Sequence, residues 1–445
     1  MSEETLRDDY LTDEIEKLHE GLFVYTNQQQ NVDLSNYTAV LINFKNMDAC
    51  SNIINLNKLI DNALSLGITL ILLNVNDGKP LSRMIGMGLR GKCIIVRPYS
   101  GYRAFNVLGL YQEDSFQCGQ SEVTQNSDGN RCFNVVEKPC CDCPDQEYSG
   151  SFEKLCSEKQ ARAIENILNT EFSVPQEFLC NSVGDTPASL PENQFKLNYL
   201  AIESMWNLSE TQVTNNSVVM EITLIASFNP KYKYLRIRSV GAGFNPANGA
   251  PMDYNNTYDR GFFQSAVKIH MQPETDQLRT LSTDPKNINN QSQYITSSSF
   301  SVGVDISKNP TFKASYDISE SLTTVVSDFN IYNNGAGVTA DWDFLLSITE
   351  NSIWDIFSEP FMKKGQVKSL PALATKNLQA VTETVWYGEN TLTDTIGVQL
   401  YWKVDHFHCW VTGNWASYTE NYHHKWRTLG YVDTPVYIDF SSVFA

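Results

Sequence analysis

The sequence predicts a mainly β chain: an antiparallel β-sandwich over residues 195–445, preceded by a small α/β module. Three observations carry this. From Phe195 onward, strand-like runs such as Val218–Phe228, Tyr234–Val240 and Gly397–Val404 recur between Asn, Gly and Pro breaks, and tryptophans concentrate after residue 341. Residues 36–110 instead alternate apolar runs with a helical period. Between the two regions, Asn181–Asn193 (NSVGDTPASLPEN) has the Gly, Pro and Ser content of a linker, set at 181–194.

The elements follow in order. Residues 1–35 form an acidic segment with nine Asp and Glu against Arg7 and Lys17, and no apolar stretch of a secretory signal. Either the protein is cytosolic or a leader has been removed from this numbering. Thr38–Phe44 reads as a buried strand, and Met47–Leu66 as a helix ending near Gly67. Ile68–Val75 and Cys93–Val96 read as further strands. The glycines of MIGMGLRG (84–91) do not follow a strand directly, so no phosphate-binding loop is expected. Residues 111–180 hold Cys118, Cys132, Cys140, Cys141, Cys143 and Cys156, then a helix over Phe152–Asn169. Crowding of this kind predicts local disulfides in an oxidising compartment, with metal ligation and free thiols as the alternatives.

Charge and composition exclude several functions. The chain carries 33 Lys+Arg against 51 Asp+Glu, a formal charge of −18, with no basic stripe, so nucleic acid is not an expected partner. A hydrophobic content of 42% supports a sizeable core. No apolar run reaches the length of a membrane-spanning helix, which leaves β-strand insertion open. No nucleophile elbow, His-Glu-x-x-His or kinase-type loop occurs, so neither enzyme activity nor a cofactor is expected. His406, His408, His423 and His424 lie near one another in sequence, but no carboxylate clearly completes a ligand set, and no metal is expected.

The stretch Tyr294–Ser327 carries the most information. Phe300, Val302, Val304, Ile306, Phe312, Ala314, Tyr316 and Ile318 fall on one strand face. Ser299, Ser301, Gly303, Asp305, Lys313, Ser315, Asp317 and Ser319 fall on the other. The pattern is a two-faced hairpin turning at Ser307–Pro310. If Ile306 opposes Phe312, then Val302 meets Tyr316, Phe300 meets Ile318, and Asp305 meets Lys313. Such pairs contribute roughly 0.2–1 kcal/mol each. Thr296–Ile306 and Phe312–Leu322 are each 11 residues long, and a tilted strand crosses a bilayer core in about 9–11. A half-buried hairpin of a soluble sandwich alternates in the same way. The Ser, Gly and Thr of the polar face favour a lumen, and the polar flanks Pro285–Gln293 and Asn330–Gly337 suit hinges, whereas Glu320 on the apolar face counts against insertion. A lone hairpin cannot satisfy its backbone in lipid, so insertion requires a closed ring of hairpins from several copies.

From about residue 195 to its end the sequence resembles the leukocidin/haemolysin family of β-barrel pore-forming toxins, within it the cytolysin core of the Vibrio cytolysin type. The likeness lies in KYLRIRSVGAGFNPANG (Lys233–Gly249) and LRTLSTDPKNINNQSQYITSSSFSVGVD (Leu278–Asp305). It continues from LQAVTETVWY (Leu378–Tyr387) to VYIDF (Val436–Phe440). The α/β region, with VLINF (Val40–Phe44) as first strand, is similar to the pro-domain preceding such cores. The resemblance implies a cytolysin core with a folded pre-stem hairpin at about 290–330 and a rim at about 350–375. It also implies a secreted monomeric precursor cut by a protease near the linker, binding a target-cell lipid membrane, and assembling into a homo-oligomeric ring, commonly of seven protomers.

Family rims meet lipid through aromatics, and IWDIFSEPF supplies Trp354, Phe357 and Phe361, which read equally well as core residues. Trp386, Trp402, Trp410, Trp415 and Trp426 read as core. Between Glu171 and Gln194 there is no Lys or Arg, so a trypsin-like cut within the linker is not expected. No lectin domain is expected after the core, and the cysteine crowding is not a general family trait. The competing reading is a secreted, disulfide-rich sandwich adhesin or carbohydrate-binding protein that never inserts.

Overall fold

A computed structural model of the chain describes residues 12, 14–17, 19–25, 32–44, 53–98, 104–110, 118–125, 131–132, 161, 165, 194–209, 212–227, 231–239, 257–288, 293–297, 301–302, 316–317, 321–325, 328–358, 365–375, 378, 380–414 and 419–444. The chain is mainly β, and two large sheets dominate it.

The ten-stranded sheet begins in the N-terminal module. Leu22–Val24, Ala39–Asn43 and Thr69–Val75 run parallel, and Gly91–Pro98 and Ala104–Leu110 continue antiparallel. Both faces of this part are covered, which is why its strands read as unbroken apolar runs. Val40, Ile42, Leu70, Leu72, Ile94 and Val96 face one cluster together with Leu56, Leu59, Ile60 and Ala63 of the helix Ile53–Ser65. Ala39, Leu41, Ile71, Leu73, Cys93 and Ile95 face the other, with Ile15 and Ala161. The helix stops where Gly67 takes φ +73, its N–H bonding the Leu64 carbonyl and that of Ile68 the Ala63 carbonyl. This pairing closes the last turn and needs a residue without Cβ strain.

The same sheet then runs into the sandwich. Ala104–Leu110 pairs in parallel with Lys196–Ile202 of the strand Gln194–Ser209, and Gln212–Ala226, Tyr232–Ser239, Glu383–Glu389 and Arg279–Asp284 follow antiparallel. The eight-stranded sheet is ordered Phe329–Asn333, Ala340–Leu346, Asp259–Pro273, Thr395–Asn414, Thr419–Asp439, Cys118–Gln125, Arg131–Cys132, with Met87–Leu89 paired to Val436–Ile438. Gly88 is needed at that last contact, because a Cβ there would lie 1.8 Å from the Gly78 carbonyl oxygen. In MIGMGLRG, Gly88 thus serves a close backbone approach and Gly86 (φ +84) the end of the helix Lys79–Ile85.

Met220, Ile222, Leu224, Leu235, Ile237 and Trp386 from the first sheet meet Val267, Ile269, Trp342, Phe344, Leu400 and Trp402 from the second. Trp342, Trp386 and Trp402 are fully buried. The indole N–H of Trp342 donates to the Pro285 carbonyl (2.9 Å) and that of Trp386 to the Val338 carbonyl (2.8 Å), so the largest side chains are anchored at their polar tips. The apolar cluster of the module and that of the sandwich are one contiguous core.

The outer face of the first sheet buries charge. Arg236 donates through Nε and Nη2 to one oxygen of Glu383 (2.9 and 2.6 Å), both side chains being almost fully buried, beside Ile225, Tyr234 and Val385. Lys233, also buried, donates to the carbonyls of Leu392 and Phe440 (both 2.6 Å), while desolvation pulls its ammonium pKa down and Asp439 opposes the shift.

Candidate functional site

The candidate site has two parts, the hairpin after Ile288 and the aromatic turn after Ser352. The hairpin starts from a bridge in which Ile288 and Ile331 exchange backbone hydrogen bonds (2.8 and 2.7 Å). Gln293–Ser297 then pairs with Ser321–Val325, and Ser301–Val302 with Tyr316–Asp317. Every described pair of these strands keeps the register that opposes Ile306 to Phe312: Val302 meets Tyr316, Ser301 meets Asp317, and Thr296 meets Leu322. These pieces form two-stranded ladders of their own, joined to neither large sheet. An isolated two-stranded ladder is marginal in water, so little backbone bonding ties the described hairpin to the sandwich. Phe300, Val304, Ile306, Phe312, Ala314, Ile318, Ser299, Gly303, Asp305, Lys313, Ser315 and Ser319 lie outside the described residues.

The flanks are better anchored than hinges need be. Phe329–Asn333, all but its first residue within the predicted turn-rich flank Asn330–Gly337, is an edge strand with Phe329 and Ile331 buried. Its polar side chains are answered from outside the strand, Asn330 (2.5 Å) and Tyr332 both donating to Glu350. Asn333 ties the two flanks together, its amide donating to Thr283 Oγ1 (3.0 Å) and the Pro285 carbonyl (2.9 Å) and its N–H to Asn287 Oδ1 (2.6 Å). Thr280 Oγ1 donates to the Gly337 carbonyl (2.8 Å) on the far side.

The aromatic turn is a short 3-10 helix, Ile353–Ile356, capped by Ser352 Oγ accepting from the Trp354 N–H (3.2 Å) and followed by the pairing of Phe357–Ser358 with Gln366–Val367. Ile356 and Phe357 are buried, and Phe357 sets its ring edge-to-face on Tyr422 at 5.2 Å. Trp354 is half-buried between Phe357 (5.8 Å) and His424 (4.9 Å). The returning chain is fixed where the Gly365 N–H donates to both Glu420 oxygens (3.0 Å each), at a point where a Cβ would strike the Tyr422 hydroxyl. Phe361 lies outside the described residues.

The histidines occupy the adjoining strands. His408 Nε2 shares a hydrogen bond with Asp259 (2.8 Å), and His423 stacks on Trp410 at 4.9 Å and bonds Thr412. His424 and Cys409 are register partners, while His423 and Trp410 pair one position on, which places these histidines on opposite faces of the ladder. Among the described residues no three His, Cys, Asp or Glu side chains are grouped as a metal site. Cys93 and Cys409 are buried free thiols, and burial pushes the Cys93 thiol up to about 12. The side chains of Cys118, Cys132, Cys140, Cys141, Cys143 and Cys156 lie outside the description.

Among the described residues, two clefts on the sandwich stand out. One of about 440 Å³ is walled by the edge-to-face rings of Tyr232 and Tyr387 and by Asp276, Arg279, Glu389 and Asp394. The other, about 360 Å³, lies over the Lys268–Asp343 ion pair and His270 beside Asp341. Burial raises the Asp341 carboxyl pKa, His270 opposing it. Sequence reasoning missed the buried Arg236–Glu383 pair, although the alternation Leu235, Arg236, Ile237, Arg238 carries its signal.

No protein-family model matches the chain, and no curated protein sequence does. Among solved structures, the chain is similar to a pore forming protein, at 9% identity over 55% of this chain and 92% of that one, with a TM-score of 0.36. It is also similar to Clostridium perfringens delta-toxin, at 12% identity over 56% of this chain and 91% of that one, with a TM-score of 0.35. Likeness at this level decides neither fold nor activity.

Proposed function

We propose that the chain is a pore-forming toxin of the cytolysin kind rather than an enzyme. It is released as a soluble monomeric precursor, activated by a protease acting between the α/β module and the sandwich, and assembled into a ring on a target-cell membrane. Each protomer contributes one hairpin to a closed transmembrane β-barrel. Phe300, Val302, Val304, Ile306, Phe312, Ala314, Tyr316 and Ile318 would face lipid. Ser299, Ser301, Gly303, Asp305, Lys313, Ser315, Asp317 and Ser319 would face the lumen. Trp354, Phe357 and Phe361 would make the first lipid contact, and disulfides among the clustered cysteines would staple the region before the linker.

The observation that carries this reading is the hairpin. Its strands alternate over a bilayer-spanning length, its described pairs keep one register, and its described ladders belong to neither sheet. A hairpin whose described ladders join neither large sheet can leave the fold without breaking their described pairings. Closing the barrel satisfies its edges, and burial of the apolar face in lipid supplies the driving force.

Dye release from liposomes and red cells, before and after limited proteolysis, tests the proposal together with a gel for an SDS-resistant oligomer. Leakage that appears after cleavage with a ring-sized band is expected. Cell binding without leakage under every cut would transfer the assignment to a non-inserting adhesin.

A further inference from the structure

The aromatic turn is seated on the long hairpin through a histidine. His424 is only 6% exposed, with Trp354 edge-to-face at 4.9 Å and Phe407 at 5.7 Å. Its Nδ1 has no hydrogen-bond partner among the described residues. In the ladder it lies between Cys409, itself buried and free, and Ser121.

Most of the charged and titratable groups described nearby have partners of their own, and Glu122 and Arg427 are placed by register alone. On the turn, Asp355 is exposed, and its carbonyl takes the Lys368 ammonium (2.5 Å). Glu420 is held by the Gly365 N–H and the Tyr422 hydroxyl. Lys425 stands over the Trp410 ring, and Glu122 is the register partner of His423. Asp259 bonds His408, and Asp405 pairs with Lys403. His406, buried on the neighbouring strand, is the register partner of Arg427. The slot therefore suits a neutral imidazole, and a proton taken up there is a buried charge with no counter-ion among the described side chains.

We infer that His424 is a proton-operated latch: in an acidic medium it takes up a proton and lets the turn Ile353–Ser358, with Trp354, swing off the hairpin. Released, the turn presents Trp354, Ile356 and Phe357 together, an aromatic and aliphatic set suited to a lipid surface. Only this last consequence rests on the membrane reading above.

Desolvation pulls His424 down from 6.5 to about 4 when the turn is docked. With the folded value below the free one, the docked state has its full stability above the free value and loses it as pH falls from there toward the docked value. Between pH 7 and pH 5 the opening equilibrium of the turn should rise roughly 20-fold.

Hydrogen exchange of amides 353–358 and 365–368 on the full chain without lipid measures this, after correction for intrinsic rates. The parent should show the rise, and His424→Phe, which keeps an aromatic ring, should be flat over the same range. A flat parent, or an equal rise in both proteins, would overturn the latch. Should His424→Phe fail to fold, proton NMR titration of the His424 ring in the parent decides. A value below about 5.5 supports the latch, and a higher one means that the aromatic faces stabilise the cation and overturns it. Absence of liposome leakage from the cleaved chain at both neutral and acidic pH would sink the pore reading and leave this result standing.

Discussion

Two hairpins in this molecule share one alternation and are held in opposite ways. Thr395–Asn414 and Thr419–Asp439 run side by side for some twenty residues, with Asp259–Pro273 bonded on one flank and Cys118–Gln125 on the other. Gln293–Ser297 and Ser321–Val325 keep an equally regular register with no neighbouring strand among the described residues. The period-2 pattern sets which face a side chain takes in both cases. What decides whether the strand is fixed in the fold is the number of its bonded flanks, and that belongs to the sheet rather than to the hairpin.

The same substitution placed in each hairpin gives the largest expected contrast. Leu400→Arg puts a charge at a fully buried site between Met271 and Thr434, and should leave no soluble folded protein. Val302→Arg should fold with an unchanged melting temperature and lose leakage, because a cation near the bilayer midplane costs about 2–4 kcal/mol per protomer. Ser301→Arg, one residue away on the other face, should still leak. Equal leakage from the two hairpin variants would remove the face assignment.

A mid-sized effect separates the rigid sheet from the free ladder. Arg236→Met strands Glu383 as a buried carboxylate and should lower stability in urea by about 3–5 kcal/mol, with much of the loss recovered when Glu383→Leu is added. A loss below about 1 kcal/mol would mean that water reaches the pair.

The smallest effect concerns the lumen. Asp305, Lys313 and Asp317 give a net charge of −1 per protomer, so planar-bilayer reversal potentials should show a mild cation preference, deepened by Lys313→Gln. An anion preference would contradict the lumen assignment.

The parts legible in the sequence are those fixed by local periodicity. Thr69–Val75 and Ala39–Asn43 were readable because burial on both faces leaves an apolar run, and the helix end because Gly67 supplies a left-handed residue. The hairpin register was readable because its two faces differ in polarity. Phe329–Asn333 was not: its asparagines resemble a turn until Glu350, distant in sequence, answers Asn330 and Tyr332. Nor was the depth of the aromatic turn. Phe357 in IWDIFSEPF reads as well for lipid as for core, and its burial comes from Tyr422, sixty-five residues on. His424 looks like a polar surface residue until three separate segments close around it.

The ladder between Ala104–Leu110 and Lys196–Ile202, with the continuous apolar core behind it, has a topological consequence. The backbone between Leu110 and Gln194, besides lending Cys118–Gln125 to the eight-stranded sheet, links two strands that the ten-stranded sheet already joins. A single cut in that stretch would remove a tether without removing the joint, leaving the two parts bound as subunits are bound, by surface rather than by covalency. Separating them is then a dissociation, governed by concentration, solvent and whatever competes for the exposed strand edge. Under the proposed activation, the cut and the parting would be two distinct events, open to control at different times and places.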